Sequence, residues 1–167
     1  MRIEGLELFR RFRHDLLNEL QILSGHMQLG RPQDELRRDL QNVVERIQEV
    51  SYLFSCRNDQ LGLLLWKWLQ QARDAEISIS FELLPMETNC CRNLAAADGL
   101  VQALLLQIGT LAEQDRWLHV RLEGNQPMLS VIAPQMPLEF LLQTTPKALQ
   151  QLESNDGEEL RFTFGLS

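Results

Sequence analysis

Apolar residues recur at helical spacing through the first third of the chain, in two stripes separated by the sequence GRPQD. The first stripe predicts a helix over residues 3–29, and the second predicts a helix over about 34–54. Gly30 suits the end of the first helix, and Pro32 suits the start of the next one. Two long amphipathic helices joined by so short a loop form an antiparallel hairpin. The stripes consist of Leu6, Phe9, Leu16, Leu20, Leu23 and Met27, then Leu36, Leu40, Val43, Ile47, Val50 and Phe54.

A single hairpin of this kind cannot bury a wide apolar stripe on both of its helices. It either packs against a third element or pairs with a second copy of itself, which gives a four-helix bundle with two-fold symmetry. We expect the dimer, because the chain that follows has the pattern of a different type of domain. Residues 1–56 are therefore predicted to be a helical hairpin that serves for dimerisation.

From residue 57 onwards the pattern changes to a mixture of helices and strands. Ile77, Ile79 and Phe81 alternate along a predicted strand, and a final alternating strand begins at Glu159. Residues 57–167 are thus predicted to form a small sheet with helices on one face, so that the whole chain is α+β. The other predicted elements are helices at 61–74, 95–114 and 146–153, and a strand hairpin around GNQP at 124–127.

Composition and charge exclude several classes of protein. The chain has 167 residues, 44% hydrophobic and 23% charged, as in ordinary globular proteins. No apolar run is long enough for a membrane span and no secretory signal is evident, so we expect a cytoplasmic protein. The net charge of −7 argues against nucleic-acid binding. The adjacent Cys90 and Cys91 fit neither a disulfide framework nor a zinc site, and we expect plain thiols.

Residues 1–14 form a basic cluster within this acidic chain, and His14 ends it. On a helical wheel, His14 lies about 150° from the centre of the apolar stripe and is expected to be exposed. A neutral imidazole in water is a competent nucleophile. Asp15 is placed to hydrogen-bond its second nitrogen, and the cluster is placed to offset the charge of a phosphoryl group. The plain alternative is a surface histidine on a solvated helix face. The cluster contains Arg2, Arg10, Arg11 and Arg13.

The sequence from Arg13 to Leu29 resembles the phosphorylatable helix of the sporulation initiation phosphotransferase B family and of related sensor histidine kinases. Their shared pattern is R-H-D-x-x-N-x-L-Q-x-I-x-G-x-x-Q-L, and Leu23 is a conservative departure from it. The matching residues are Arg13, His14, Asp15, Asn18, Leu20, Gln21, Gly25, Gln28 and Leu29. Residues 61–83 and 98–114 resemble, more weakly, the ATP-binding fold of histidine kinases.

The motifs by which that fold holds Mg-ATP are missing from the sequence. Gln107 stands where the metal-binding asparagine is expected, and Ala133 stands where an aspartate reads the adenine. The C-terminal sequence has isolated glycines and no glycine-rich lid. We therefore expect no cofactor or metal of the chain's own and no autokinase reaction with ATP.

The resemblance implies a phosphotransferase of a bacterial phosphorelay, acting at the initiation of sporulation. His14 would take a phosphoryl group from an aspartate of one response-regulator receiver domain and pass it to a second. The receiver would bring its own Mg²⁺. From charge and hydropathy we expect no nucleic-acid or membrane partner. In this interpretation Arg10, Arg13, Asp15 and Asn18 support the reaction, and Arg11, Gln21 and Gly25 help to dock the receiver.

Two other functions remain open at this stage. The chain is alternatively a sensor kinase or phosphatase of the same family, in which Asn18 orients a water molecule. It is otherwise a dimeric scaffold that binds receivers without catalysis. His26 and His119 are interpreted as structural residues. The tryptophans, Trp66, Trp68 and Trp117, are interpreted as core or interface residues rather than a base-stacking platform.

Overall fold

The computed structural model describes residues 2–56, 58–84, 93–123, 128–136, 151–155 and 159–166. The chain divides into two compact units, Met1–Tyr52 and Leu53–Ser167. Helices followed by a small mixed sheet make the fold α+β, as the sequence predicts. Within the described ranges, none of the helices combines the length and the apolar character that a membrane crossing requires.

The first unit is the predicted hairpin of two helices, α1 (Arg2–Gln28) and α2 (Gln33–Leu53). Gly30 ends α1 with a left-handed φ of 66°, and two backbone bonds from the turn close back onto Met27 and His26. This is the arrangement in which glycine satisfies the last carbonyls of a helix. The helices are antiparallel, since His26 meets Asp39 near the turn.

Much of the apolar surface of the hairpin is open to solvent in the single chain. Leu20 is 42% exposed and Met27 is 63% exposed, although both belong to the predicted seam. On α2, Leu40 and Ile47 are similarly uncovered, whereas Val43 is buried. The predicted seam is therefore only partly covered within the single chain.

The described residues of the second unit form a five-stranded sheet and two α-helices. Its helices are α3 (Asp59–Asp74) and α4 (Leu94–Ile108), and its strands are β1 (Ser78–Leu83), β2 (Trp117–Glu123), β3 (Met128–Pro134), β4 (Gln151–Asn155) and β5 (Glu159–Gly165). The strand order is β1-β2-β3-β5-β4. Among the described strands, β1 and β2 form the one parallel pair, because α4 crosses between them. Short 3₁₀ turns at Phe54–Cys56 and Glu113–Asp115 precede α3 and β2.

The core of this unit lies between the sheet and its helices. Asn58 caps α3, since its side-chain oxygen accepts the N–H of Leu61 at 2.9 Å. The ring of Phe54 packs edge-on against Trp66 at 6.4 Å. Trp66 and Trp68 are buried and Trp117 is half-buried, which agrees with their interpretation as core or interface residues. The sheet contributes buried apolar residues from alternate positions, among them Leu118, Val120, Leu122, Leu129, Val131, Phe162 and Phe164.

Two of the predicted elements differ from the structure. Helix α4 ends at Ile108 rather than near residue 114, because Gly109 and Thr110 turn the chain away. The predicted helix at 146–153 is wrong at its C-terminal end, where Gln151–Asn155 pairs with β5 as a strand. The rest of that segment lies outside the described residues, as do Cys90 and Cys91.

Candidate functional site

His14 lies at the middle of α1, on the side of the helix that faces solvent. Its side chain is 74% exposed, which confirms the orientation predicted from the helical wheel. Arg10, Asn18 and Gln21 lie on the same side of α1 and are exposed as well. Together they form a polar strip in which an imidazole is accessible to another macromolecule.

The ring nitrogen Nδ1 of His14 has two polar neighbours. Oδ1 of Asp15 lies 3.4 Å from Nδ1, and Nδ2 of Asn18, one turn further along, lies 3.2 Å from it. The two contacts require different tautomers. Asp15 accepts a hydrogen bond from a protonated Nδ1 and leaves the lone pair on Nε2, whereas the amide of Asn18 donates only to an unprotonated Nδ1. The balance between these neighbours decides which ring nitrogen is nucleophilic.

Asp15 is also connected to the second helix of the hairpin. The guanidinium of Arg46, on α2, lies 3.9 Å from Oδ2 of Asp15 and forms an ion pair with Glu19. All three side chains are about one-third exposed, so the cluster is half-buried beside an exposed ring. Because the two oxygens of Asp15 contact different partners, this one carboxylate joins α2 to the imidazole.

Arg46 was not among the residues that the sequence singled out. The register between the two helices of a hairpin depends on packing and cannot be read from either helix alone. One signal was present, since Asp15 and Glu19 stand four residues apart on α1. Like charges at that spacing repel each other unless a cation lies between them.

The remaining predicted site residues lie along the exposed side of α1. Arg11 and Arg13 are exposed, close to the histidine in sequence. Gly25 is half-buried, and a Cβ added to it meets no atom within 4 Å. Close packing among the described residues therefore does not account for this glycine in the interior of a helix.

The two other histidines have hydrogen-bonded neighbours, as expected of structural residues. Nδ1 of His26 lies 2.8 Å from Oδ2 of Asp39, which links α1 to α2 near the turn. Nδ1 of His119 lies 2.8 Å from Oγ of Ser80, which links β2 to β1. Each ring is held by a neighbouring element, whereas both contacts of His14 come from its own helix.

The two residues that stand at the expected metal-binding and adenine-binding positions, Gln107 and Ala133, lie in the second unit. Gln107 is half-buried on α4, and Ala133 is fully buried on β3. Ala133 offers no carboxylate to accept a hydrogen bond from an adenine amino group. Among the residues that the structure describes, no three His, Cys, Asp or Glu side chains are grouped so as to hold a metal ion.

The fold and the site define a helical hairpin with a solvent-exposed histidine, followed by a small α+β unit. Residues 2–56 match a protein-family model described as sensor kinase SpoOB-type, alpha-helical domain. The match covers both helices and includes His14, and it confirms the family resemblance of this segment. No curated protein matches the chain. Residues 2–56, about a third of the chain, are thus similar to the alpha-helical domain of SpoOB-type sensor kinases.

Proposed function

We propose that the chain is a histidine phosphotransferase, which carries a phosphoryl group through His14 between aspartates of two response-regulator receiver domains. The observation that carries this proposal is the exposed imidazole of His14, with a carboxylate beside Nδ1, in a helix of the SpoOB type. We place the relay in the cytoplasm, at the initiation of sporulation, by the same family likeness.

The proposed reaction is a reversible exchange between two high-energy linkages. The lone pair on Nε2 of His14 attacks the phosphorus of the receiver's aspartyl phosphate, and the P–O bond to the carboxylate breaks. The carboxylate leaves with the electron pair, and the ring keeps its Nδ1 proton and gains positive charge facing Asp15. The reverse steps deliver the group to the second receiver. The receiver supplies Mg²⁺, and Arg10 and Arg13 offset negative charge on the moving group.

The docking surface in this proposal is the exposed strip of α1. Arg11 and Gln21 offer donors to the acidic pocket of a receiver, and Gly25 leaves room for close approach. Docking holds the phosphorus in line with Nε2, and such positioning is the main contribution required of the protein. We propose no ATP-dependent reaction, because Ala133 and Gln107 lack the groups that the nucleotide fold uses.

Transfer is tested with a receiver domain that has been phosphorylated with a radiolabelled small-molecule donor. We expect acid-labile label on the wild-type chain and none on His14→Gln, whereas the matched control His119→Gln is labelled normally. Label from ATP alone would indicate a sensor kinase. Release of inorganic phosphate without labelled protein would indicate a phosphatase. A His14→Ala variant that relays as well as the wild type would indicate a scaffold, and each of these results would overturn the proposal.

We further propose that two copies of the chain associate through the exposed apolar surfaces of their hairpins and so form a four-helix bundle. The support is the exposure of seam residues such as Leu20 and Leu40 in the single chain. A charge at Leu40 would be buried in that interface, so Leu40→Glu is expected to sediment as a monomer where the wild type is a dimer. Asn42→Glu adds the same charge about 200° further round the helix and should leave the dimer intact. A wild-type monomer at every concentration would contradict the bundle.

A further inference from the structure

We propose that Arg46 is a positioning residue, which acts through Asp15 to place the ring proton of His14 on Nδ1 and the lone pair on Nε2. This inference rests on the proposed phosphotransfer at His14. Arg46 does not touch the imidazole. Its guanidinium reaches Asp15 and Glu19 from the opposite helix, and Asp15 reaches the ring.

Because of the geometry around Nδ1, the position of the Asp15 carboxylate decides which ring nitrogen carries the proton. The contact from Asp15 to Nδ1 is 3.4 Å, at the long end of hydrogen bonding, and the competing contact from Asn18 is 3.2 Å. Asp15 lies within the same helix as His14, away from any turn or loop, so its carboxylate moves only by rotation of its side chain. A neighbour that holds Oδ2 fixes that rotation and hence the distance from Oδ1 to the ring.

Arg46 is the group that holds Oδ2. Its nitrogen lies 3.9 Å away, and its pairing with Glu19 keeps the guanidinium between the two carboxylates. An arginine suits this role because its planar fork donates to Glu19 while its delocalised charge attracts Oδ2 of Asp15 at 3.9 Å, an ion-pair distance that is longer than a hydrogen bond. Without Arg46, Asp15 would be free to rotate into solvent and away from Glu19, which carries the same charge. Asn18 would then be the remaining partner of Nδ1, and the proton would move to Nε2.

The tautomer matters because only an unprotonated ring nitrogen attacks phosphorus. With the proton on Nδ1, the lone pair of Nε2 attacks, and the positive charge that develops on the ring faces the carboxylate of Asp15. With the proton on Nε2, the only lone pair is on Nδ1, which lies against Asn18 and Asp15. Arg46 thereby connects the packing of α2 to the reactivity of a residue on α1.

The experiment measures the ring tautomer and the transfer rate in the same set of variants. The ¹⁵N chemical shifts of His14 report the protonated nitrogen in the free protein, and the loss of signals in His14→Gln assigns them. The wild type is expected to show the proton on Nδ1. Arg46→Gln is expected to show the proton on Nε2 and a transfer rate lower by about tenfold, in proportion to the loss of the reactive form. Arg38→Gln, which removes an exposed charge from the same helix, should change neither quantity.

Two further variants separate positioning from a general effect on the fold. Arg46→Lys keeps the charge but not the fork, and we expect it to recover part of the tautomer and part of the rate. If Arg46 acts through Asp15, adding Arg46→Gln to Asp15→Asn should cost nothing more than Asp15→Asn alone. An unchanged tautomer in Arg46→Gln, or additive losses in the double variant, would overturn this inference. Failure of the wild type to accept any phosphoryl group would instead overturn the proposed function, since the tautomer is measured without a receiver.

Discussion

Trp68 on α3 donates its indole N–H to Oδ1 of Asp98 on α4, across 2.9 Å. The adjacent Lys67 lies 2.8 Å from Oδ2 of the same carboxylate, so both oxygens are used. Trp68 is fully buried, and its N–H therefore depends on a protein acceptor rather than on water. One carboxylate joins the two helices of the second unit.

Replacing Asp98 by asparagine is expected to destabilise the chain by about 1–3 kcal/mol, because the charged partner of Lys67 is lost and the indole bond is weakened. Chemical denaturation measures the change in the free energy of unfolding. Glu113→Gln removes an exposed carboxylate instead and should stay within about 0.5 kcal/mol of the wild type. Equal stability of Asp98→Asn and Glu113→Gln would show that the link contributes nothing.

The carboxylate of Asp98 also makes the free energy of unfolding depend on pH, with lower stability expected in acid. Burial alone raises the pKa of Asp98, but hydrogen bonds from Lys67, Trp68 and Gln102, with the charge of Lys67, outweigh it and lower the pKa. A lowered pKa in the folded state stabilises the fold above the unfolded value of about 3.9, and this stabilisation disappears as the pH falls through the folded pKa. We expect the unfolding free energy of the wild type to fall more steeply than that of Asp98→Asn below about pH 4. Parallel pH profiles would contradict this assignment.

The sequence predicts those elements whose structure depends on the local pattern of residues. It does not predict elements whose structure depends on pairing with a distant segment of the chain. The hairpin followed from the spacing of apolar residues and from Gly30, whose positive φ the turn requires. The sequence predicts residues 151–153 as the end of a helix, whereas they begin the strand Gln151–Asn155, whose structure depends on pairing with β5 rather than on its own residues. The sequence predicts too long a helix α4, because Leu111 and Ala112 follow Gly109 and hide the end of the helix.

The candidate site was predictable only on the helix that carries it. The exposure of His14 and its nearness to Asp15 and Asn18 follow from spacing along one helix. Arg46 comes from the second helix, and its partner on α1 depends on how the helices are offset. That offset is set by packing between them, which a single sequence does not specify.

Gly62 on α3 lies against the ring of Phe54, where a Cβ would come within 2.7 Å of Cδ1. Alanine favours a helix by about 1 kcal/mol over glycine, but a forced shift of a packed ring costs about 1–3 kcal/mol. We therefore expect Gly62→Ala to lower the melting temperature. Gly99→Ala on α4 is the matched control, because its Cβ meets nothing within 4 Å and the change should stabilise the fold. A stabilised Gly62→Ala would mean that the ring moves without cost.

Cys56 is expected to resist alkylation in the folded chain. Burial raises the pKa of its thiol, so that little thiolate is present near neutral pH, and no part of the residue is exposed. In a Cys90→Ser, Cys91→Ser variant only Cys56 can react with a thiol reagent. Its reaction should be slow in native buffer and fast in denaturant. Rapid native labelling would show that the region around Cys56 opens readily.

Gly25 provides a test in which stability and function are expected to change in opposite directions. Alanine at this position meets no neighbour in the chain, so Gly25→Ala should stabilise α1 by about 1 kcal/mol. If a receiver packs closely against the exposed strip of α1, the added methyl group holds it away from His14. Transfer should then fall several-fold in Gly25→Ala and further in Gly25→Leu, because the steric obstruction increases with side-chain size.

The control for Gly25 is Gly99→Ala, which removes a helical glycine from the second unit and should leave transfer unchanged. Loss of transfer with a gain in stability is not the result of damage to the fold, since unfolding would lower both. It assigns the open space beside Gly25 to a bound partner. Normal transfer in both Gly25 variants would remove this residue from the docking surface, while His14 would still be tested independently by His14→Gln.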